Sequence, residues 1–229
     1  MAGEILTEMV DCPVADGPAV PGYLARPQGA GPFPAIVVIQ EWWGLDPHIK
    51  DIAERFAREG YAARAPDLYH GAVTDEPDEA RKLAMETDMD LANREVGGAV
   101  AYLRAQPYTR GTVATIGYCM GGGLSLSASC RYPVDATIVY YGGNPNPIDQ
   151  VQNIPGAVLG IYGEDDRLFP DAVNALREAL TGYGKIVEIH TYPGAPHAFF
   201  NDSRPETYWE TESNDAWQKT LDFLARNMG

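Results

Sequence analysis

The chain has 229 residues, of which 45% are hydrophobic and 21% are charged, and its 17 basic and 32 acidic side chains give a formal net charge of −15. A chain of this length and composition can bury a full core without disulfides or metals, which excludes a disordered protein. The acidic excess is untypical of nucleic-acid-binding proteins and is repelled by anionic membranes, so we expect no nucleic-acid partner and no membrane association.

The cysteines and the first residues indicate the compartment. Cys12, Cys119 and Cys130 are odd in number and widely spaced, which fits neither a disulfide framework nor a structural zinc site. The start carries Glu4 and Glu8 and lacks the layout of a signal peptide, and no run reaches the roughly 18 apolar residues of a membrane span. We therefore expect a cytoplasmic protein with reduced thiols and no metal.

The first part of the chain alternates between strands and a helix. Two short antiparallel strands are predicted at 4–10 and 19–25, with turn residues between them. The β-branched run at 35–40 is typical of a strand buried on both faces. A helix is predicted over 46–60, from an Asp N-cap followed by Pro to a closing Gly, and a short strand follows at 61–66.

The same alternation continues to the C terminus. Further helices are predicted at 76–104, with a break near Thr87, and at 122–130, 171–180 and 206–227. Further strands are predicted at 112–117, 136–142, 157–163 and 185–192. Such alternation favours parallel pairing through right-handed crossovers. We predict a single domain over 1–229 with an α/β fold, in which a mostly parallel central sheet carries helices on both faces and an antiparallel N-terminal edge.

The most informative segment is the turn between the strand at 112–117 and the next helix. Residues 117–121 read GYCMG, the G-x-nucleophile-x-G turn with Cys119 where Ser is commoner. A helix N-terminus favours a thiolate at Cys119, and the Met120 backbone N–H can donate to an oxyanion. A merely buried cysteine is the alternative. A dinucleotide-binding loop does not fit, because Leu126 stands where its third glycine is needed.

A thiol nucleophile needs a base, and the base needs an acid that orients it. In this fold the chain order is nucleophile, acid, histidine. His190 lies within a predicted strand, whereas His197 lies in a Pro/Gly-rich loop after that strand, where open α/β sheets place their sites. We therefore predict His197 as the base. The acid should follow the strand at 157–163, where spacing alone does not distinguish Asp165 from Asp166.

Five motifs together resemble the dienelactone hydrolase family, the cysteine branch of the α/β-hydrolase fold. The resemblance covers nearly the whole chain. Its motifs are the turn at 117–122, the loop GEDDRLFP at 163–170, the turn before His197, Q-E-x-x-G at 40–44 and A-P-D-L-Y at 65–69, and Gln106-Pro107-Tyr108 also corresponds.

The resemblance implies a cysteine-dependent hydrolase of esters or lactones that forms a thioester intermediate and needs no cofactor. It implies Cys119 as the nucleophile and His197 as the base. It also implies Asp166 as the orienting acid, because Asp166 stands four residues before Pro170, as in the family's D-x-x-x-P pattern.

The same resemblance implies two roles for the segment after the strand at 35–40. Glu41 would meet the resting thiol and help to generate the thiolate when substrate arrives, the alternative being a solvated loop glutamate. The backbone N–H of Trp42 would be the second oxyanion donor beside that of Met120.

One departure from the family concerns the substrate. Members that hydrolyse dienelactone hold its carboxylate with two arginines, whose positions here are the stretch 69–72 and Asn201. Neither arginine is present, and the nearby His70 and Arg204 are not matched residues. A neutral ester therefore fits better. Five aromatic residues are candidates to line an apolar pocket, namely Trp42, Trp43, Tyr69, Tyr141 and Phe199.

Two other functions fit parts of the pattern. The chain could be a hydrolase-fold thiol protein for redox sensing or small-molecule binding with little turnover, although a sensor needs no Asp–His pair. Acyl transfer to an acceptor other than water is not distinguished from hydrolysis. No interface pattern is evident, so we expect a monomer or a weak homo-oligomer whose partner is a small-molecule ester or lactone.

Overall fold

Strands and helices alternate along the chain, as the hydrophobic pattern predicts. The computed structural model describes residues 4–168 and 171–228. Its strands are Ile5–Met9 (β1), Gly22–Pro27 (β2), Phe33–Ile39 (β3), Ala62–Pro66 (β4), Thr109–Tyr118 (β5), Ala136–Tyr140 (β6), Ala157–Gly163 (β7) and Val187–Tyr192 (β8). Its α-helices are Pro47–Arg58 (α1), Pro77–Glu86 (α2), Met89–Ala105 (α3), Met120–Arg131 (α4), Ala172–Gly182 (α5) and Glu210–Met228 (α6), and Ile148–Asn153 is a 3₁₀ helix.

The contacts between residues divide the chain into two units, Met1–Thr115 and Ile116–Gly229. In the first unit β2 pairs antiparallel with both β1 and β4, with Gly22 opposite Pro66. Strands β3 and β4 pair in parallel, with Ala35 opposite Ala62, and helix α1 connects them. The predicted antiparallel N-terminal edge is therefore confirmed, and the single domain over 1–229 stays a prediction.

Helix α1 forms for the reasons that its sequence indicates. The Asp46 side chain accepts a hydrogen bond from the Ile49 backbone N–H at 2.9 Å, Pro47 is the first helical residue, and Gly60 follows the helix with a φ of 95°. One face of the helix is buried and consists of His48, Ile49, Ile52, Ala53, Phe56 and Ala57.

The long helix predicted at 76–104 is two helices, and the predicted break near Thr87 is confirmed. The Thr87 hydroxyl donates to the Leu83 carbonyl at 2.7 Å and ends α2. The Asp88 carboxylate then accepts from the backbone N–H groups of Asp90 and Leu91 and begins α3. A capping side chain at this point stabilises a new helix start rather than a continuous helix.

In the second unit β6, β7 and β8 pair in parallel, with Ala136 opposite Ala157 and Val158 opposite Val187. These strands and helices α4 and α5 share a core whose buried members include Leu126, Val139, Val158, Tyr162, Leu176 and Leu180. The predicted start of α6 at residue 206 is wrong, because residues 201–208 form successive turns in which the Arg204 carbonyl accepts from two backbone N–H groups.

Two cysteines pack in the interior as ordinary small side chains. Cys12 is fully buried, and burial raises the pKa of its thiol above the usual value. Burial likewise raises the pKa of Cys130 to about 11. Thiols with raised pKa values are poor nucleophiles at neutral pH. None of the helices at 4–168 and 171–228 is long and apolar enough to cross a membrane.

Candidate active site

Cys119 occupies a strained turn between β5 and α4. Strand β5 ends at Tyr118 and helix α4 begins at Met120, two residues earlier than predicted, so Cys119 is the only residue between them. Its φ of 55° and ψ of −116° lie in a region that residues with side chains rarely adopt. Its backbone N–H donates to the Tyr140 carbonyl at 3.0 Å. The half-buried thiol therefore stands at the N-terminus of α4, where the helix dipole favours a negative charge.

Three glycines make this turn possible. A Cβ atom on Gly117 would collide with the carbonyl oxygen of Gly121. A Cβ on Gly122 would lie 2.8 Å from the Tyr140 carbonyl oxygen, and one on Gly142 would lie 2.5 Å from the Gly122 carbonyl carbon. The glycines thus let the turn of Cys119 pack directly against the end of β6.

His197 and Asp166 form a close pair. The Nδ1 atom of His197 lies 2.7 Å from Oδ2 of Asp166, the distance of a charge-assisted hydrogen bond. The Asp166 side chain is 4% exposed and its Oδ1 accepts from the Leu168 backbone N–H at 2.9 Å, whereas Asp165 is exposed. A carboxylate at Nδ1 holds the proton there and leaves Nε2 able to accept one.

Backbone hydrogen bonds join the loop of Asp166 to the loop of His197. The Glu164 N–H donates to the Tyr192 carbonyl at 3.0 Å, and the Asp165 N–H donates to the Ala195 carbonyl at 3.0 Å. In return the Gly194 N–H donates to the Glu164 carboxylate at 3.1 Å. These links fix the separation of the acid and the imidazole. Pro170, from which the family pattern identified Asp166, lies outside the described residues.

One of the predicted pocket residues, Tyr141, lies beside the imidazole, and a second, Phe199, packs against Tyr141. The Tyr141 ring centroid is 5.0 Å from that of His197 and 5.9 Å from that of Phe199, both in edge-to-face geometry. Tyr141 and Phe199 are fully buried. The second unit therefore places Asp166 and Tyr141 against His197, with Phe199 against Tyr141.

The other predicted residues belong to the first unit. Glu41 is the second residue after β3. It is only 2% exposed, which excludes the alternative of a solvated loop glutamate. Trp42 is half-buried and its ring contacts that of Trp43 with centroids 4.9 Å apart. Tyr69 is buried, and its backbone N–H donates to the Asp67 carboxylate at 3.2 Å.

At the two positions that the resemblance assigns to arginine, the stretch 69–72 and Asn201, the residues present make other contacts. The Asn201 side chain is buried and accepts from the backbone N–H and the hydroxyl of Ser203. His70 has a φ of 51°, and its Nε2 lies 3.0 Å from Oε1 of Glu95. Neither contact provides the fixed positive charge of a guanidinium.

Glu95 is a buried carboxylate that our sequence interpretation did not identify. Its side chain is 1% exposed, and burial raises the pKa of this carboxyl while His70 opposes the shift. Glu95 and His70 line one cavity of about 290 Å³ in the first unit, with Tyr69 at its wall. The sequence does contain a signal for a buried Glu95. This residue lies on the same stripe of α3 as Ala92, Val96 and Ala99, and a charged residue on an apolar stripe is unusual.

Comparison with known proteins identifies the relatives of this chain. The sequence model of the dienelactone hydrolase family matches residues 20–228. A candidate carboxymethylenebutenolidase of Saccharolobus solfataricus is 34% identical over 93% of this chain and 96% of that protein. The crystal structure of a candidate dienelactone hydrolase from Klebsiella pneumoniae is 30% identical, with a TM-score of 0.88 over 97% of this chain and 99% of that one.

A second similar structure is that of a dienelactone hydrolase-like promiscuous phosphotriesterase from metagenomic libraries. It is 25% identical, with a TM-score of 0.88 over 98% of this chain and 99% of that one. Both similar structures cover nearly the whole chain. The predicted α/β-hydrolase fold class is therefore confirmed.

Proposed function

Since this chain belongs to the dienelactone hydrolase family and is a hydrolase of carboxylic esters or lactones, we propose that it cleaves small neutral esters through a thioester on Cys119. In this proposal His197 is the base and Asp166 orients it. The observation that carries the proposal is the 2.7 Å contact between His197 Nδ1 and Asp166 Oδ2, in the same unit as the strained turn of Cys119.

The first half of the proposed cycle acylates the enzyme. Nε2 of His197 takes the proton of the Cys119 thiol, and the sulfur attacks the ester carbonyl carbon while the carbonyl electron pair moves to oxygen. The Met120 N–H holds this oxyanion, and such a donor typically contributes about 3 kcal/mol to the transition state. The oxyanion then collapses, and the alcohol leaves with the proton from His197.

The second half hydrolyses the thioester. Nε2 of His197 takes a proton from water, and the resulting hydroxide attacks the thioester carbonyl. The tetrahedral intermediate expels the Cys119 sulfur, which takes the proton back from Nε2 of His197. The carboxylic acid departs, and the enzyme returns to its first state. Asp166 keeps its negative charge throughout and stabilises the imidazolium that forms twice in the cycle.

Two further roles rest on the family resemblance. We propose that Glu41 helps to generate the thiolate of Cys119 and that the Trp42 N–H is the second oxyanion donor. The burial of Glu41 supports the first role, because a carboxylate that is 2% exposed at the end of a strand is positioned rather than solvated. Replacing Glu41 by Gln should lower kcat/KM, and an unchanged rate and pH profile would contradict this role.

The proposed substrate class follows from the missing arginines. Asn201 holds a turn through Ser203, and the imidazole of His70 lies beside a carboxylate. A net charge of −15 does not attract an anionic lactone. Aromatic side chains suit an uncharged acyl or alcohol group. Of the aromatic residues that the sequence suggested, Trp43 and Tyr69 of the first unit keep a small exposed surface, whereas Tyr141 and Phe199 of the second unit are fully buried.

The decisive experiment replaces the proposed nucleophile. Cys119→Ala should abolish hydrolysis of p-nitrophenyl esters of rising chain length, and the parent should release p-nitrophenol in a burst and carry a thioester detectable by mass spectrometry. Cys130→Ala is the matched control, because this buried thiol should leave kcat/KM unchanged. Near-parental turnover by a folded Cys119→Ala variant would refute the proposal. A panel with dienelactone and small neutral lactones tests the preference for uncharged substrates.

We also propose that the protein acts in the cytoplasm as a monomer or weak homo-oligomer, without a nucleic-acid partner. The acidic charge and the reduced thiols expected from the cysteine pattern support this. Size-exclusion chromatography with light scattering at several protein concentrations tests the oligomeric state.

A further inference from the structure

Tyr141 adopts a backbone conformation that a large side chain rarely adopts. It is the first residue after β6, its φ is 39°, and its side chain is fully buried. A bulky residue with positive φ is strained, and such strain persists only where the surroundings fix the conformation. The backbone and the ring of Tyr141 both make contacts that fix this conformation.

The backbone around Tyr141 is fixed to the turn of the proposed nucleophile. The preceding carbonyl, that of Tyr140, accepts from the Cys119 N–H at 3.0 Å. The following residue, Gly142, packs so closely on α4 that a Cβ there would lie 2.5 Å from Gly122. The Tyr141 N–H itself donates to the Ile161 carbonyl of β7 at 2.8 Å. The Cα of Tyr141 is therefore held on both sides relative to Cys119.

The ring of Tyr141 reaches the proposed base. Its centroid lies 5.0 Å from that of His197, with an angle of 64° between the planes, and 5.9 Å from that of Phe199. Edge-to-face contacts at these distances are favourable. The hydrogen bond to Asp166 fixes one atom of the imidazole, about which the ring can still pivot, and a second contact on the ring restricts this rotation.

We propose that Tyr141 is a positioning residue that fixes the orientation of His197 relative to Cys119. The proposal rests on the proposed function, because it acts through the thiol and the imidazole. A side chain whose backbone is bound to the nucleophile turn and whose ring contacts the base links the two reacting groups directly. Misplacement of a reacting group by about 1 Å can cost about 100-fold in rate, so a partial loss of orientation should lower kcat measurably.

The test compares two substitutions that differ in the ring. Tyr141→Leu removes the ring and should lower kcat about tenfold while KM changes less than about twofold. Tyr141→Phe keeps the ring and should retain kcat within about threefold of the parent. Phe223→Leu, which removes a buried ring of α6, is the control for general loss of core packing and should leave kcat per folded molecule unchanged. Equal kcat values for Tyr141→Leu and the parent would overturn the proposal.

The folding of the variants and the activity of Cys119→Ala also bear on the role of Tyr141. If Tyr141→Leu does not fold, Tyr141→Met fills more of the volume without a ring and carries the same comparison. Failure of both to fold, while Phe223→Leu folds, would assign Tyr141 to core packing and overturn the proposal. An inactive Cys119→Ala together with a fully active Tyr141→Leu refutes only the role of Tyr141, whereas an active Cys119→Ala refutes the proposed function.

Discussion

Asp166→Asn is the substitution whose outcome the geometry defines most closely. The two oxygens of Asp166 have different partners, since Oδ1 accepts from the Leu168 N–H at 2.9 Å and Oδ2 lies 2.7 Å from His197 Nδ1. An asparagine has one acceptor and one donor at these positions. If its oxygen keeps the Leu168 N–H, its NH₂ group faces His197 Nδ1, and Nδ1 must then be unprotonated.

This change of tautomer predicts a large loss of rate. With Nδ1 unprotonated, the proton of a neutral imidazole moves to Nε2, which can no longer accept the proton of Cys119. The opposite amide orientation would place NH₂ against the Leu168 N–H and lose that bond. The equivalent substitution in a serine protease triad lowers kcat by about 10⁴. We expect a loss of at least about 10³, which corresponds to about 4 kcal/mol in the activation barrier.

The assay is steady-state hydrolysis of p-nitrophenyl butyrate by Asp166→Asn and by Asp165→Asn. Asp165 is the matched control, because its side chain is exposed. Its backbone N–H donates to the Ala195 carbonyl, and the substitution leaves this hydrogen bond in place because it involves only main-chain atoms. The control should stay within about twofold of the parent. Thermal unfolding of both variants verifies that each is folded. A kcat/KM of Asp166→Asn within tenfold of the parent would refute the tautomer argument.

Two further predictions concern stability. Gly117→Ala should unfold the protein or lower its free energy of unfolding by more than about 3 kcal/mol, because the new Cβ meets the Gly121 carbonyl. Gly182→Ala adds a methyl group in open space at the end of α5 and should raise the free energy of unfolding by up to about 1 kcal/mol. Equal denaturant midpoints for the two variants would contradict this prediction. Because burial raises the pKa of Glu95, the folded state binds more protons at this carboxyl than the unfolded state, so its contribution to stability is present at low pH and is lost as pH rises through the folded pKa. The Tm of Glu95→Gln should therefore rise relative to that of the parent as the pH is raised from 4.5 to 8. A difference in Tm that does not change with pH would show that Glu95 has an ordinary pKa.

Local patterns predicted the features that depend on a few neighbouring residues. Asp46 with Pro47 marked the start of α1, and the run at 35–40 marked β3, because capping and strand burial depend on residues adjacent in the chain. The turn of Cys119 was predictable for the same reason, since Gly117 and Gly122 are within four residues of it, whereas the close packing of Gly142 on Gly122 is a contact distant in the chain.

Features that depend on contacts distant in the chain could not be predicted in this way. Spacing did not separate Asp165 from Asp166, because the choice depends on a loop 31 residues further along that carries His197. The resemblance implied the contact of Asp166 that the structure contains, and its catalytic role stays a prediction. The positive φ of Tyr141 has no local signal either, since hydrogen bonds and packing from β7 and α4 impose it.

The backbone hydrogen bonds between the loops of Asp166 and His197 bear on attempts to redesign this protein. Because the Glu164–Tyr192 and Asp165–Ala195 bonds use only main-chain atoms, they constrain loop lengths and backbone paths more than side-chain identities. Residues 163–168 and 192–198 would therefore have to be transplanted together into another scaffold, as a paired cassette. A graft of either loop alone would carry a carboxylate or an imidazole without the geometry that makes the two a pair.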